Sequence, residues 1–112
     1  YPVITMGELT HQGSKQNLIG QNAGSGQVNL YSNEKQVDAN TPLTFLVHAG
    51  DDTVVPVQNS LRMYEAIIKA GAKAEMQLYQ AGGHGFGLNN KTTADEWFSH
   101  CINWLKANKL LP

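Results

Sequence analysis

From Leu43 onward the apolar positions fall into four patterned stretches separated by polar or glycine-rich ones. Leu43 to His48, L-T-F-L-V-H, is a nearly continuous apolar run. Such a run fits a parallel strand buried on both faces. Pro56 suits a first helical turn, and Leu61, Tyr64, Ile67 and Ile68 then recur at helical spacing. Gly71 stops that helix, as glycine often does just past a C-terminus. Ala74 to Tyr79, A-E-M-Q-L-Y, alternates apolar and polar residues as a half-exposed strand does. Thr93-Ala94-Asp95-Glu96 has the form of a capping box, and Trp97, Cys101, Trp104 and Leu105 give the last helix an apolar stripe.

The first third is less regular. Pro2 to Met6, P-V-I-T-M, reads as a short buried strand end. Gly7 to Gly26 is polar and rich in Gly, Ser, Asn and Gln, which predicts a long surface loop. A short helix follows, with Val28, Leu30 and Tyr31 facing inward and Glu34 and Lys35 outward. Strands alternating with helices imply βαβ crossovers and a parallel sheet, an α/β protein.

Composition narrows the function classes. With 112 residues the chain is one domain at most, and 41% apolar with 15% charged residues is ordinary globular usage. The net charge of -1 and the lack of a basic block argue against a nucleic-acid partner. No apolar run approaches membrane-spanning length, and Tyr1 to Met6 does not read as a signal peptide. Cys101 is the single cysteine, and no His or Cys cluster has metal-ligand spacing, so neither metal nor cofactor is expected.

Two loops carry candidate chemistry. His48-Ala49-Gly50-Asp51-Asp52-Thr53-Val54-Val55-Pro56 follows the first predicted parallel strand, and Gly82-Gly83-His84-Gly85-Phe86-Gly87 follows the second. In open α/β sheets, sites form outside those strand ends. A carboxylate bonded to an imidazole fixes its tautomer and stabilises the imidazolium formed during proton transfer. The imidazole itself titrates near neutrality, where it can take and return a proton. His48, at the end of a buried strand, reads as structural, His11 as a loop residue and His100 as a surface one. Tyr64, Trp97 and Trp104 read as core.

H-A-G-D-D-T-V-V-P resembles the acid loop of α/β-hydrolases, roughly H-x-x-x-D-x-x-V-P, and G-G-H-G-F-G resembles their histidine loop. Y-P-V-I-T-M and H-Q-G-S-K-Q-N-L-I-G extend the likeness over essentially the whole chain. The chain is most similar in pattern to bacterial acetyl-xylan and feruloyl esterases, in the dienelactone-hydrolase and prolyl-oligopeptidase neighbourhood. The resemblance implies the C-terminal half of an α/β-hydrolase, with parallel strands and crossover helices, over residues 1–112. It implies that Asp52, which precedes x-x-V-P, is the catalytic acid and His84 the base. Asp51 is the competing acid, with a turn or helix-terminus role as its alternative.

The nucleophile motif G-x-S-x-G is absent; Ser25 comes nearest and lacks glycine at both positions. Since the family order is nucleophile, acid, histidine, the serine is expected upstream of Tyr1. The expected activity is hydrolysis of short acyl esters, with acetyl groups on carbohydrates as the expected substrates, by a longer protein. A prolyl-oligopeptidase-like peptidase and a non-catalytic module from a degenerate half are the alternatives. The chain alone is expected to be inactive, to self-associate or pair with an N-terminal half, and to use no nucleic-acid or membrane partner.

Overall fold

The computed structural model describes all residues, 1–112. Its two strands are β1 (Thr44–Ala49) and β2 (Ala74–Tyr79), paired in parallel with Thr44 opposite Ala74 and Ala49 opposite Tyr79. Two backbone bonds extend the ladder, Thr44 N–H to Lys73 O and Gly50 N–H to Tyr79 O. The second strand occupies the span its alternation predicts, and the first is displaced by one residue toward Ala49.

Four α-helices accompany the sheet: α1 (Gln12–Ile19), α2 (Ser25–Tyr31), α3 (Gln58–Lys69) and α4 (Trp97–Ala107). A 3-10 turn spans Asn33–Lys35. Helix α3 is the crossover between the strands and packs on both. It begins two residues after Pro56 and ends at Lys69, capped by Ala70, after which Gly71 takes φ 79°. There Ala72 N–H returns to Ile67 O, the closure that left-handed glycine permits. Ile67 is fully buried, a burial that contributes about 1.5–3 kcal/mol. Leu61 and Ile68, on the same predicted stripe, are exposed.

Several expectations are corrected. Residues 7–26 are not one loop: α1 lies inside them, with His11 as its cap accepting the Ser14 N–H. His11 is thus more than a plain loop residue; its ring fills an orphan position at a helix start. Leu30 and Tyr31 face outward, at 60% and 42% exposure, because α2 packs mainly through its neighbouring 3-10 turn. The capping box does not form. Helix α4 starts at Trp97 without a side-chain cap, and Thr93 Oγ1 accepts the Asp95 N–H in a local turn instead. Residues 2–6 are irregular rather than strand, yet Ile4, Thr5 and Met6 are buried.

That first segment is held by side chains. Asn59, fully buried on α3, accepts the N–H groups of Ile4 and Thr5 through one oxygen and donates to Leu9 O and Pro56 O. Ser32 accepts the Met6 N–H. Buried backbone donors must find partners, and here two polar side chains substitute for a neighbouring strand. The Tyr1 backbone nitrogen donates to Val47 O, so this segment runs beside β1.

Candidate active site

Both strands end at the same rim, and each feeds one of the predicted loops. The β1 loop turns tightly through Asp52, whose Oδ1 accepts the N–H groups of Val54 and Val55, each at 2.9 Å. That arrangement is why an acid with short reach sits at this position: it closes its own turn while leaving Oδ2 free. Asp52 Oδ2 accepts from His84 Nδ1 at 2.9 Å. A carboxylate only accepts, so the proton resides on Nδ1 of His84 and Nε2 is the basic nitrogen. The Asp52 side chain is fully buried, whereas that of His84 keeps 33% exposure, so the imidazole reaches solvent.

Burial pushes the Asp52 carboxyl up. The hydrogen bonds from Val55, His84 and Val54 outweigh it and leave the carboxyl below its ordinary value. Asp52 is therefore an anion at neutral pH, able to stabilise an imidazolium on His84.

The histidine loop owes its shape to glycines and to four anchors. Gly82 takes φ 149°, and a Cβ there would meet Asn90 Nδ2 at 2.6 Å. Asn90 cannot yield easily, since it is buried and its Nδ2 donates to Ala81 O. Gly83 has φ 61° and donates its N–H to Asp51 Oδ1 at 2.8 Å. Gly87 donates its N–H to Tyr1 Oη at 2.7 Å and accepts from Trp97 Nε1 at 2.8 Å. The Tyr1 ring meets His84 edge-on at 5.1 Å and Phe86 at 4.7 Å, separations within the favourable range for ring pairs.

Asp51 and Asp52 thus do different things. The structure brings Asp52 to His84 and gives Asp51 the loop backbone. Sequence reasoning did not find Asn90 or the Asp51 contact; Gly82, two residues before His84, was the only signal of a close approach. His100 is exposed and bonds Asp95 at 2.8 Å, apart from this site. Trp97 and Trp104 are half-buried rather than core, with Trp104 against Phe45 at 5.5 Å.

The profile of the prolyl oligopeptidase family matches residues 3–109. The chain belongs to that family. It is 37% identical over 99 residues to endo-1,4-beta-xylanase B of Butyrivibrio fibrisolvens, covering 88% of this chain and 15% of that protein. Among solved structures it is similar to an acetyl ester-xyloside bifunctional hydrolase from Caldicellulosiruptor lactoaceticus, with TM-score 0.95 and 37% identity over 100% of this chain and 42% of that one. A carboxylesterase from Lactobacillus plantarum shares the fold at TM-score 0.79 and 22% identity, over 100% of this chain and 44% of that one. The fold is that of the α/β-hydrolases. The chain spans less than half the length of each of these proteins.

Proposed function

We propose that this chain supplies the acid and the general base of a serine hydrolase acting on carboxylic esters, with short acyl groups on carbohydrates as substrates. The single observation carrying the proposal is the His84 Nδ1 to Asp52 Oδ2 bond at the exit of two parallel strands. Names among similar proteins support the substrate class: one is an acetyl ester-xyloside hydrolase and another a xylanase.

The nucleophile is a serine upstream of Tyr1. His84 Nε2 takes the serine hydroxyl proton as the oxygen bonds the acyl carbon. The imidazolium is held by Asp52 and gives the proton to the departing alcohol as the ester C–O bond breaks. Water then enters by the same route: Nε2 takes its proton as the water oxygen bonds the acyl carbon, the imidazolium returns the proton to the serine oxygen as the acyl–serine bond breaks, and the carboxylic acid leaves.

A longer polypeptide containing this chain is expected to hydrolyse p-nitrophenyl acetate and release acetate from acetylated xylo-oligosaccharides. His84→Ala abolishes both. Ester turnover undiminished by His84→Ala overturns the proposal. The family's name favours a second reading, cleavage after proline. Turnover of a glycyl-proline p-nitroanilide without ester hydrolysis selects it.

A further inference from the structure

His48 is fully buried at the end of β1, and both its ring nitrogens are bonded. Nε2 lies 2.9 Å from Val55 O and 3.2 Å from Asp52 Oδ2, while Nδ1 lies 2.7 Å from Ser60 Oγ. A carbonyl only accepts, so the proton is on Nε2 and the Ser60 hydroxyl donates to Nδ1. Ser60 is itself fully buried on the first turns of α3, which fixes the ring from the helix side.

We propose that His48 is a positioning residue for the acid: its Nε2–H bonds Val55 O, and Nε2 also lies 3.2 Å from the Asp52 oxygen that receives His84. Three hydrogen bonds and this close contact then surround the Asp52 carboxylate. Val54 and Val55 N–H hold Oδ1, and the two imidazoles meet at Oδ2. The carboxylate cannot swing away from His84 without abandoning three other partners.

The charge state of His48 matters to this role. A neutral donor steadies Oδ2 without cancelling its charge, whereas an imidazolium there would compete with His84 for the anion. Burial pushes the His48 imidazole down, which keeps it neutral. The charged or titratable groups acting on it are Asp52 and the Tyr1 amino group, with His84 beyond the shared oxygen.

The inference rests on Asp52 and His84 working as an acid–base pair, but its test reads the rings themselves and needs no turnover. Nitrogen-15 spectra of the 112-residue chain are expected to show His48 protonated at Nε2 and bare at Nδ1 at neutral pH. Removing the donor with His48→Leu makes Oδ2 more basic. The nitrogen-15 and proton resonances of the His84 Nδ1–H should then move, as its bond to Oδ2 changes. His48→Gln keeps an N–H near the position of Nε2 and should leave those resonances close to wild type. A folded leucine variant with unmoved His84 resonances overturns the proposal, as does a glutamine variant that shifts like leucine. Should the leucine variant fail to fold, the wild-type tautomer decides: Nε2–H sustains the proposal, and Nδ1–H or a cation overturns it.

Discussion

Asp51 Oδ1 accepts the Gly83 N–H at 2.8 Å, so the residue next to the buried acid grips the backbone next to the histidine. Two adjacent carboxylates therefore tie the two loops together, one by side chain and one by main chain. Asp51→Ala in a polypeptide carrying the nucleophile should lower kcat roughly ten- to a hundredfold, since small misplacements of a catalytic group cost that much. Asp51→Asn retains an acceptor oxygen and should recover most of the loss. Steady-state kinetics on p-nitrophenyl acetate reads both.

Asp52→Asn keeps the shape of the acid but presents an amide where an anion is required. The imidazolium loses its counter-charge, and the ring loses the preference for a proton on Nδ1. We expect kcat to fall on the order of 10⁴-fold with little change in KM. An Asp52→Asn enzyme within tenfold of wild type would remove Asp52 from the role of acid.

Acid should destabilise the chain in two stages. The folded-state value of His48 lies below the unfolded one of about 6.5, so the unfolded chain binds the proton first. Stability is then lost as pH falls below that value. The Asp52 carboxyl is also lowered, so its contribution is complete above about 3.9 and fades as pH falls further. Denaturant midpoints between pH 7.5 and 3 should show both slopes. His48→Gln should flatten the upper one and Asp52→Asn the lower.

Gly82→Ala puts a methyl against the buried Asn90 amide at a backbone angle that side chains avoid. The expected cost is about 1–3 kcal/mol of stability, read from urea denaturation, with the His84 signal broadened or shifted. An alanine variant as stable as wild type would mean that the loop reaches its shape by another route.

Only 15 of 112 residues are buried, a small core for a chain this long. An open apolar groove of about 500 Å³ runs along Phe45, Leu46, Val47, Trp97 and Cys101. We propose that the isolated chain self-associates there, because uncovered apolar faces and free strand edges invite pairing. Sedimentation at micromolar concentration should show species larger than 12.2 kDa. A stable monomer would refute this.

Much of this arrangement was legible because period and punctuation agree. The alternation from Ala74 to Tyr79 and the apolar run into His48 each had a single plausible geometry, and Pro56 and Gly71 bracketed the helix between them. The two loops announced themselves by an acid beside V-P and a histidine among glycines. What stayed hidden depends on tertiary partners. Helix α1 is too short and polar to show an apolar stripe, and none of its residues is buried. Asn59 and Ser60 look like surface residues in sequence, yet they are buried because the chain start and His48 need hydrogen bonds there. The exposed Leu61 and Ile68 show the converse: periodicity marks an apolar face without saying what covers it.

The pairing of Ala49 with Tyr79 fixes where each chain leaves the sheet. Sliding one strand by a single residue would displace it by about 3.3 Å, more than the whole length of the bond between carboxylate and imidazole. The carboxylate–imidazole contact is thus a vernier on strand alignment: a disturbance too slight to unfold the protein would still break it. Substitutions far from the rim, along the outer ends near Thr44 and Ala74, would be felt as lost chemistry before lost structure.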